Sequence, residues 1–144
     1  MLVGHFAVGF VAKRLEPTVS LGTLVLAAML ADLLWPIFTL AGIEQVNFGP
    51  GMGAGAYFEP VNIAMSHSLV MDAVWAGLFS AVYFATRHSS PGSWLVFTAV
   101  LSHWLLDFVS HRPDMPLAPG VSGHFGLGLW TSIPATLEIG RAHV

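Results

Sequence analysis

His103, Asp107 and His111 are spaced four and four in the chain. On a helix that spacing stacks all three side chains on one face. Imidazole, carboxylate and imidazole on one stripe make a metal-ligand arrangement or, less often, a proton relay. Helix rigidity fixes the spacing, which is a common way to hold an ion. The stripe closes an apolar segment, and neither chemistry is comfortable against lipid. Other polar residues of the chain are therefore expected to converge on it.

Three further residues are candidates to do so. Asp32 is a carboxylate inside an apolar segment; insertion scales put its cost at roughly 2.5–3.5 kcal/mol at mid-helix, which a cation offsets. His67 stands between Ser66 and Ser68 and opens a helix for which Ser66 is a natural cap. His5 lies near the start of the first apolar run. The metal set expected from these residues is His5, Asp32, His67, His103 and Asp107, holding one ion or two. Asp72 lies about 140° from His67 around a helix and could hold an imidazole by its other nitrogen. His111 is a candidate general base. Arg112 either clamps an anion beside the metal or forms a surface pair with Asp114. His88 and His124 fall in loops or at helix ends, where polarity is solvated. The Gly-rich stretch 49–55 lacks the lysine and the strand–helix context of a phosphate loop.

The elements that must position these groups are membrane helices. Of 144 residues, 55% are hydrophobic and 9% charged, against about 25% charged in a soluble domain. Mean hydropathy is +0.72. The net charge of -3 offers no basic surface for nucleic acid, and the absence of cysteine excludes thiolate chemistry. Residues 2–14 are apolar but shorter than the roughly 20 needed to span. Lys13 and Arg14 follow this run rather than precede it, unlike a signal peptide, so targeting is expected to rest on the membrane segments. Residues 18–43 read as a span that Pro36 kinks or ends. Residues 61–86 and 93–111 read as further spans, and a last apolar run starts near Phe125. Residues 44–60 and 112–123 read as loops. Residues 138–144 back-translate to a common sequencing-adapter string, so 1–137 is taken as one transmembrane domain, and Arg141 and His143 are left out of the candidate site. The fold expected is all-α, a polytopic bundle of about four helices with a truncated C-terminal helix.

Lys13, Arg14 and Arg87 place 13–17 and 87–92 in the cytoplasm, and 44–60 and 112–123 outside, by the positive-inside rule. His5, Asp32, His67, His103, Asp107 and His111 then share one level in the outer half of the bilayer.

His5, Asp32, Ser66-His67-Ser68-Leu69, His103 to Asp107 and His111-Arg112-Pro113-Asp114-Met115-Pro116 together resemble the YdjM-type family of inner-membrane proteins, described as metal-dependent hydrolases. The Gly-Leu-Gly-Leu-Trp run at 126–130 fits the same group. The His-x-x-x-Asp spacing is also similar to the zinc ligands of prokaryotic phospholipase C. The resemblance implies a multi-pass inner-membrane hydrolase. Zinc is the expected metal from imidazole and carboxylate ligands, and depth suggests a lipid or other amphipathic phosphoester substrate. Two other readings stand beside it. One is a transporter using the same residues as a proton or ion relay. The other is a non-catalytic protein in which a metal locks the helices.

Overall fold

The computed structural model describes residues 2–48 and 58–129. The Gly-rich stretch 49–55, the apolar run from 130 and the adapter-like segment 138–144 lie outside the described residues. The described residues are mostly helical, with six helical segments. Two of them are long and apolar enough to cross a membrane, and a bent pair makes a third candidate.

Helix α1 (Leu2–Leu15) ends on Lys13 and Arg14. The Lys13 ammonium donates to the carbonyls of Pro17 at 2.6 Å and Val19 at 2.8 Å, fixing the turn into α2 (Leu21–Ala28). Ser20 caps α2 by accepting from the Thr23 amide. A 56° bend at Met29 separates α2 from α3 (Leu30–Leu40). The expected kink at Pro36 is not where the span breaks. Pro36 lies inside α3, where its missing N–H removes only the ladder bond to the Asp32 carbonyl. The break falls at Ala28–Met29, and His103 takes up the Ala28 carbonyl there.

The loop expected over 44–60 carries the antiparallel strands β1 (Gln45–Phe48) and β2 (Phe58–Asn62). The span expected over 61–86 is interrupted. Helix α4 (Ala64–His67) and helix α5 (Leu69–Arg87) meet at an extended Ser68, which caps α5 by accepting from the Met71 amide. His88 turns the chain in a left-handed conformation (φ 51°). Ser89 then caps α6 (Ser90–Ser110), which returns antiparallel to α5. After α6, β3 (Met115–Pro116) pairs with β4 (His124–Phe125).

The core is built from the small and β-branched residues Ala12, Val19, Ala27, Ala76, Val96, Ala99 and Val100, together with Leu24. Small side chains let backbones approach closely, which is how helices associate in lipid. The outside is apolar instead. Val70, Val74, Leu78 and Val82 of α5 are all exposed; their spacing of four makes one stripe. Phe6 and Phe10 of α1 and Leu33 and Ile37 of α3 are exposed as well. Apolar patches of this extent mark contact with lipid or a partner.

The segment after β4 closes the end of α6. The Leu127 amide donates to the Phe108 carbonyl at 2.8 Å and the Gly128 amide to the His111 carbonyl at 2.7 Å, meeting orphan carbonyls of the helix end. This approach requires Gly126, where a Cβ would lie 2.3 Å from the Arg112 carbonyl oxygen and 2.6 Å from that of His111. Gly126→Ala is expected to destabilise by about 1–3 kcal/mol, as overpacking does, and to displace His111 and Arg112. Thermal melting of the detergent-solubilised protein checks this; a midpoint equal to wild type counts against the contact.

Candidate metal centre

Four elements deliver the site. Helix α1 brings His5, α3 brings Asp32 just past the bend, α4 brings His67, and α6 brings His103, Asp107 and His111. All five residues expected as ligands come together. Lys13 and Arg14 end α1 and Arg87 ends α5, so the basic residues sit at the opposite end of these helices from the cluster.

Asp107 is buried and uses both carboxylate oxygens. Its Oδ1 lies 3.2 Å from His5 Nε2, and its Oδ2 lies 3.3 Å from His103 Nε2. The rings of His5 and His103 stack in parallel, with centroids 3.8 Å apart. On the other side Asp32 Oδ1 lies 3.5 Å from His67 Nε2 and 3.7 Å from His103 Nε2. Two three-ligand sets result, His5–His103–Asp107 and Asp32–His67–His103, each with its ligand atoms within 4.8 Å of one another.

These separations are informative. Ordinary N–H···O bonds span about 2.7–3.2 Å, and these contacts sit at or beyond the upper end. Ligands bound at roughly 2.0–2.1 Å in a tetrahedron lie about 3.3–3.4 Å from each other, and the carboxylate–imidazole distances here run from 3.2 to 3.7 Å. His103 Nε2 has no hydrogen-bond partner among the described residues.

The outer nitrogens fix the tautomers. His103 Nδ1 lies 2.9 Å from the Ala28 carbonyl. A carbonyl can only accept, so Nδ1 carries the proton and the Nε2 lone pair faces the cluster. For His67 the same result comes through a relay. Ser66 Oγ lies 2.8 and 2.9 Å from the two Glu44 oxygens and 2.7 Å from His67 Nδ1. The hydroxyl gives its one proton to the carboxylate, so its oxygen accepts from His67 Nδ1–H. The Ser66 amide also donates to Glu44 Oε1 at 2.7 Å. Ser66 therefore does not cap a helix, as expected from the sequence; Ser68 does that, and Ser66 links Glu44 to His67.

Glu44 reads in the sequence as a loop charge, yet it is 2% exposed. The only signal was an acid in a stretch, 44–60, that has no lysine or arginine to pair it. Asp72 is also buried, and neither carboxylate oxygen has a hydrogen-bond partner among the described residues. It holds no imidazole in the manner expected.

His111, half-buried, lies 3.8 Å from Asp107 Oδ1 and 3.5 Å from Asp114 Oδ1. Arg112 pairs with Asp114 at 3.3 Å. Burial pushes the Asp114 carboxyl up, but His111 and Arg112 beside it outweigh that and hold it below the usual carboxylate range. Arg112, Asp114, His124 and Asn62 line an open cavity of about 630 Å³ beside this end of α6. His88 lies in the α5–α6 turn, far along the helices from the cluster.

No family model matches this chain, nor does any curated protein or solved structure.

Proposed function

We propose that the protein is a multi-pass inner-membrane hydrolase that uses one His/Asp-held divalent ion, zinc by ligand chemistry, to cleave a phosphoester in a lipid-like substrate. Half-spanning α1, bent α2–α3, α5 and α6 make the four-helix bundle in this reading. The observation that carries it is the buried set His5–His103–Asp107, two imidazoles and a carboxylate, the ligand classes that catalytic zinc sites pair with an open position. The YdjM-type resemblance points the same way.

When bound, the ion polarises a water and screens negative charge on the reacting phosphoryl group. The chain's own residues do the rest. Asp32 is partly exposed and adjoins the buried set at 3.7 Å from His103, placed to take the proton of the attacking water. His67 Nε2 lies 3.5 Å from the same carboxylate and presents its lone pair beside it. As water adds to phosphorus and the ester P–O bond breaks, the leaving oxygen needs a proton, and His111 is placed to give it. Arg112 holds a non-bridging phosphoryl oxygen at the cavity mouth. A relay across the bilayer needs ionisable groups at successive depths. Beyond the cluster, the described spans hold Asp72, in the first turn of α5 and level with the cluster.

The test is metal content of the detergent-purified protein, with hydrolysis of phospholipid vesicles measured before and after chelation. One divalent ion per chain is expected, lost in Asp107→Ala, with hydrolysis that stops on chelation and returns with zinc. An ion bound without any phosphoester cleavage rejects the hydrolase and leaves a structural metal. Arg112→Ala is expected to lower kcat/KM for the phosphoester about 10–100-fold, from loss of a charged hydrogen bond, and to leave metal content intact. Equal activity in Arg112→Ala removes the clamp.

A further inference from the structure

The two ligand sets share one residue. His103 belongs to both and faces Asp32 and Asp107 alike through Nε2, and His103 Nδ1 is committed to the Ala28 carbonyl. The imidazole has a single lone pair to offer, so it serves one ion at a time. The two sets also differ in access. In the first, the side chains of His5, His103 and Asp107 are 0%, 1% and 3% exposed. In the second, Asp32 is 33% and His67 9% exposed. Asp32 stands immediately after the 56° bend of α2 into α3, at the open edge of the cluster. An ion arriving from water meets Asp32 before it meets Asp107.

We propose that the cluster loads its ion in two steps. Asp32 and His67 capture a divalent cation at the open edge and pass it, through the shared His103, to the buried seat of His5, His103 and Asp107. The capture pair strips water from the ion one ligand at a time, so no step leaves a bare cation in an apolar environment. The seat retains the ion because its three buried ligands leave water access only from the open side at Asp32. The proposal rests on the preceding reading in one respect only, that this cluster binds a divalent ion.

A group met only on the way to a seat changes entry and exit by the same factor, because the end states are unchanged. That gives a kinetic signature. Metal-free full-length protein in detergent is mixed with Co2+ in a stopped-flow instrument, and the cobalt absorption bands report binding without any substrate. Asp32→Asn is expected to slow association and dissociation alike, by about tenfold or more, with Kd within about threefold of wild type. His67→Gln should do the same and serves as the second variant if Asp32→Asn does not fold. Asp107→Asn should instead raise Kd by about 100-fold or more, through faster dissociation. Three results overturn the proposal: Asp32→Asn and His67→Gln losing affinity as Asp107→Asn does, which means one shared shell; both keeping wild-type rates, which means another entrance; or two Co2+ retained per chain, which means two standing sites. Because Co2+ is read without substrate, loading can hold where hydrolysis fails. A wild-type protein that binds no Co2+ removes both.

Discussion

His103→Ala is expected to empty the site altogether. His103 is the one residue common to both ligand sets, so neither capture nor seat survives its loss. The fall in metal affinity should be on the order of 1,000-fold or more, beyond the 10–100-fold that removal of an outer partner typically costs. A second effect follows from the other ring nitrogen. His103 Nδ1 joins α6 to the last carbonyl of α2 at 2.9 Å, at the point where the α2–α3 ladder breaks. Alanine leaves that carbonyl without its donor and opens a cavity beside the His5 ring. Together these should cost about 2–4 kcal/mol. The two effects are separable by melting with and without zinc. Bound ion stabilises the native protein by mass action, about 2.7 kcal/mol at a ligand concentration of 100 Kd. Wild type should gain this on adding zinc, and His103→Ala should start lower and gain nothing. His103→Asn, whose amide stands where Nδ1 does and can still donate to Ala28, should recover part of the zinc-free stability and none of the zinc-dependent gain. A zinc-dependent gain that persists in both variants would falsify the shared-ligand geometry.

The sequence made the ligands legible and left their supports hidden, for a physical reason. An ionisable side chain in an apolar run is costly unless partnered, so His5, Asp32, His103 and Asp107 announced themselves by type and place. The four-residue spacing on α6 needed only helix geometry. Orientation from three basic residues grouped the same set at one level, and the structure brings that set together. The supports carry no such mark. Glu44 sits in a polar stretch, where a carboxylate is unremarked, and becomes buried only because the turn after α3 sets it on the Ser66 amide and hydroxyl of α4. The Ala28 carbonyl belongs to a residue with no polar side chain at all. Breaks were misplaced for a related reason. Pro36 is the residue whose chemistry opposes a helix, yet the chain bends at Met29, where a tertiary hydrogen bond from another helix competes with the local ladder. Ser66 and Ser68 are alike as caps in sequence; the position of Glu44 decides which one is free to cap α5.

Glu44→Gln, a change of one atom pair in a residue that touches no candidate ligand atom, is expected to reverse the tautomer of His67. In the native protein the carboxylate only accepts. It takes the Ser66 amide proton at 2.7 Å and the Ser66 hydroxyl proton at 2.8–2.9 Å, so the hydroxyl oxygen must accept from His67 Nδ1–H at 2.7 Å. Glutamine keeps one accepting oxygen, which the Ser66 amide holds, and turns its NH2 toward the Ser66 oxygen. With the NH2 donating to the Ser66 oxygen, the hydroxyl proton turns to the nearer of its two acceptors, His67 Nδ1 at 2.7 Å rather than the retained oxygen at 2.9 Å, and the imidazole proton moves to Nε2. There it faces Asp32 Oδ1, 3.5 Å away, and donates to it. The lone pair that meets an incoming ion is gone, and the Asp32 carboxylate becomes a weaker base. Cobalt association and dissociation should both slow by about 10–100-fold, and hydrolysis by a similar factor, with Kd and seat occupancy near wild type. Nitrogen NMR of the histidine rings reads the proton directly, and the Nδ1 and Nε2 signals of His67 should exchange character in Glu44→Gln alone. Glu44→Asp, which keeps two accepting oxygens on a shorter arm, should retain the native tautomer. If His67 carries its proton on Nδ1 in all three proteins, Glu44 merely anchors the loop after α3, and the relay has no hold over the ion.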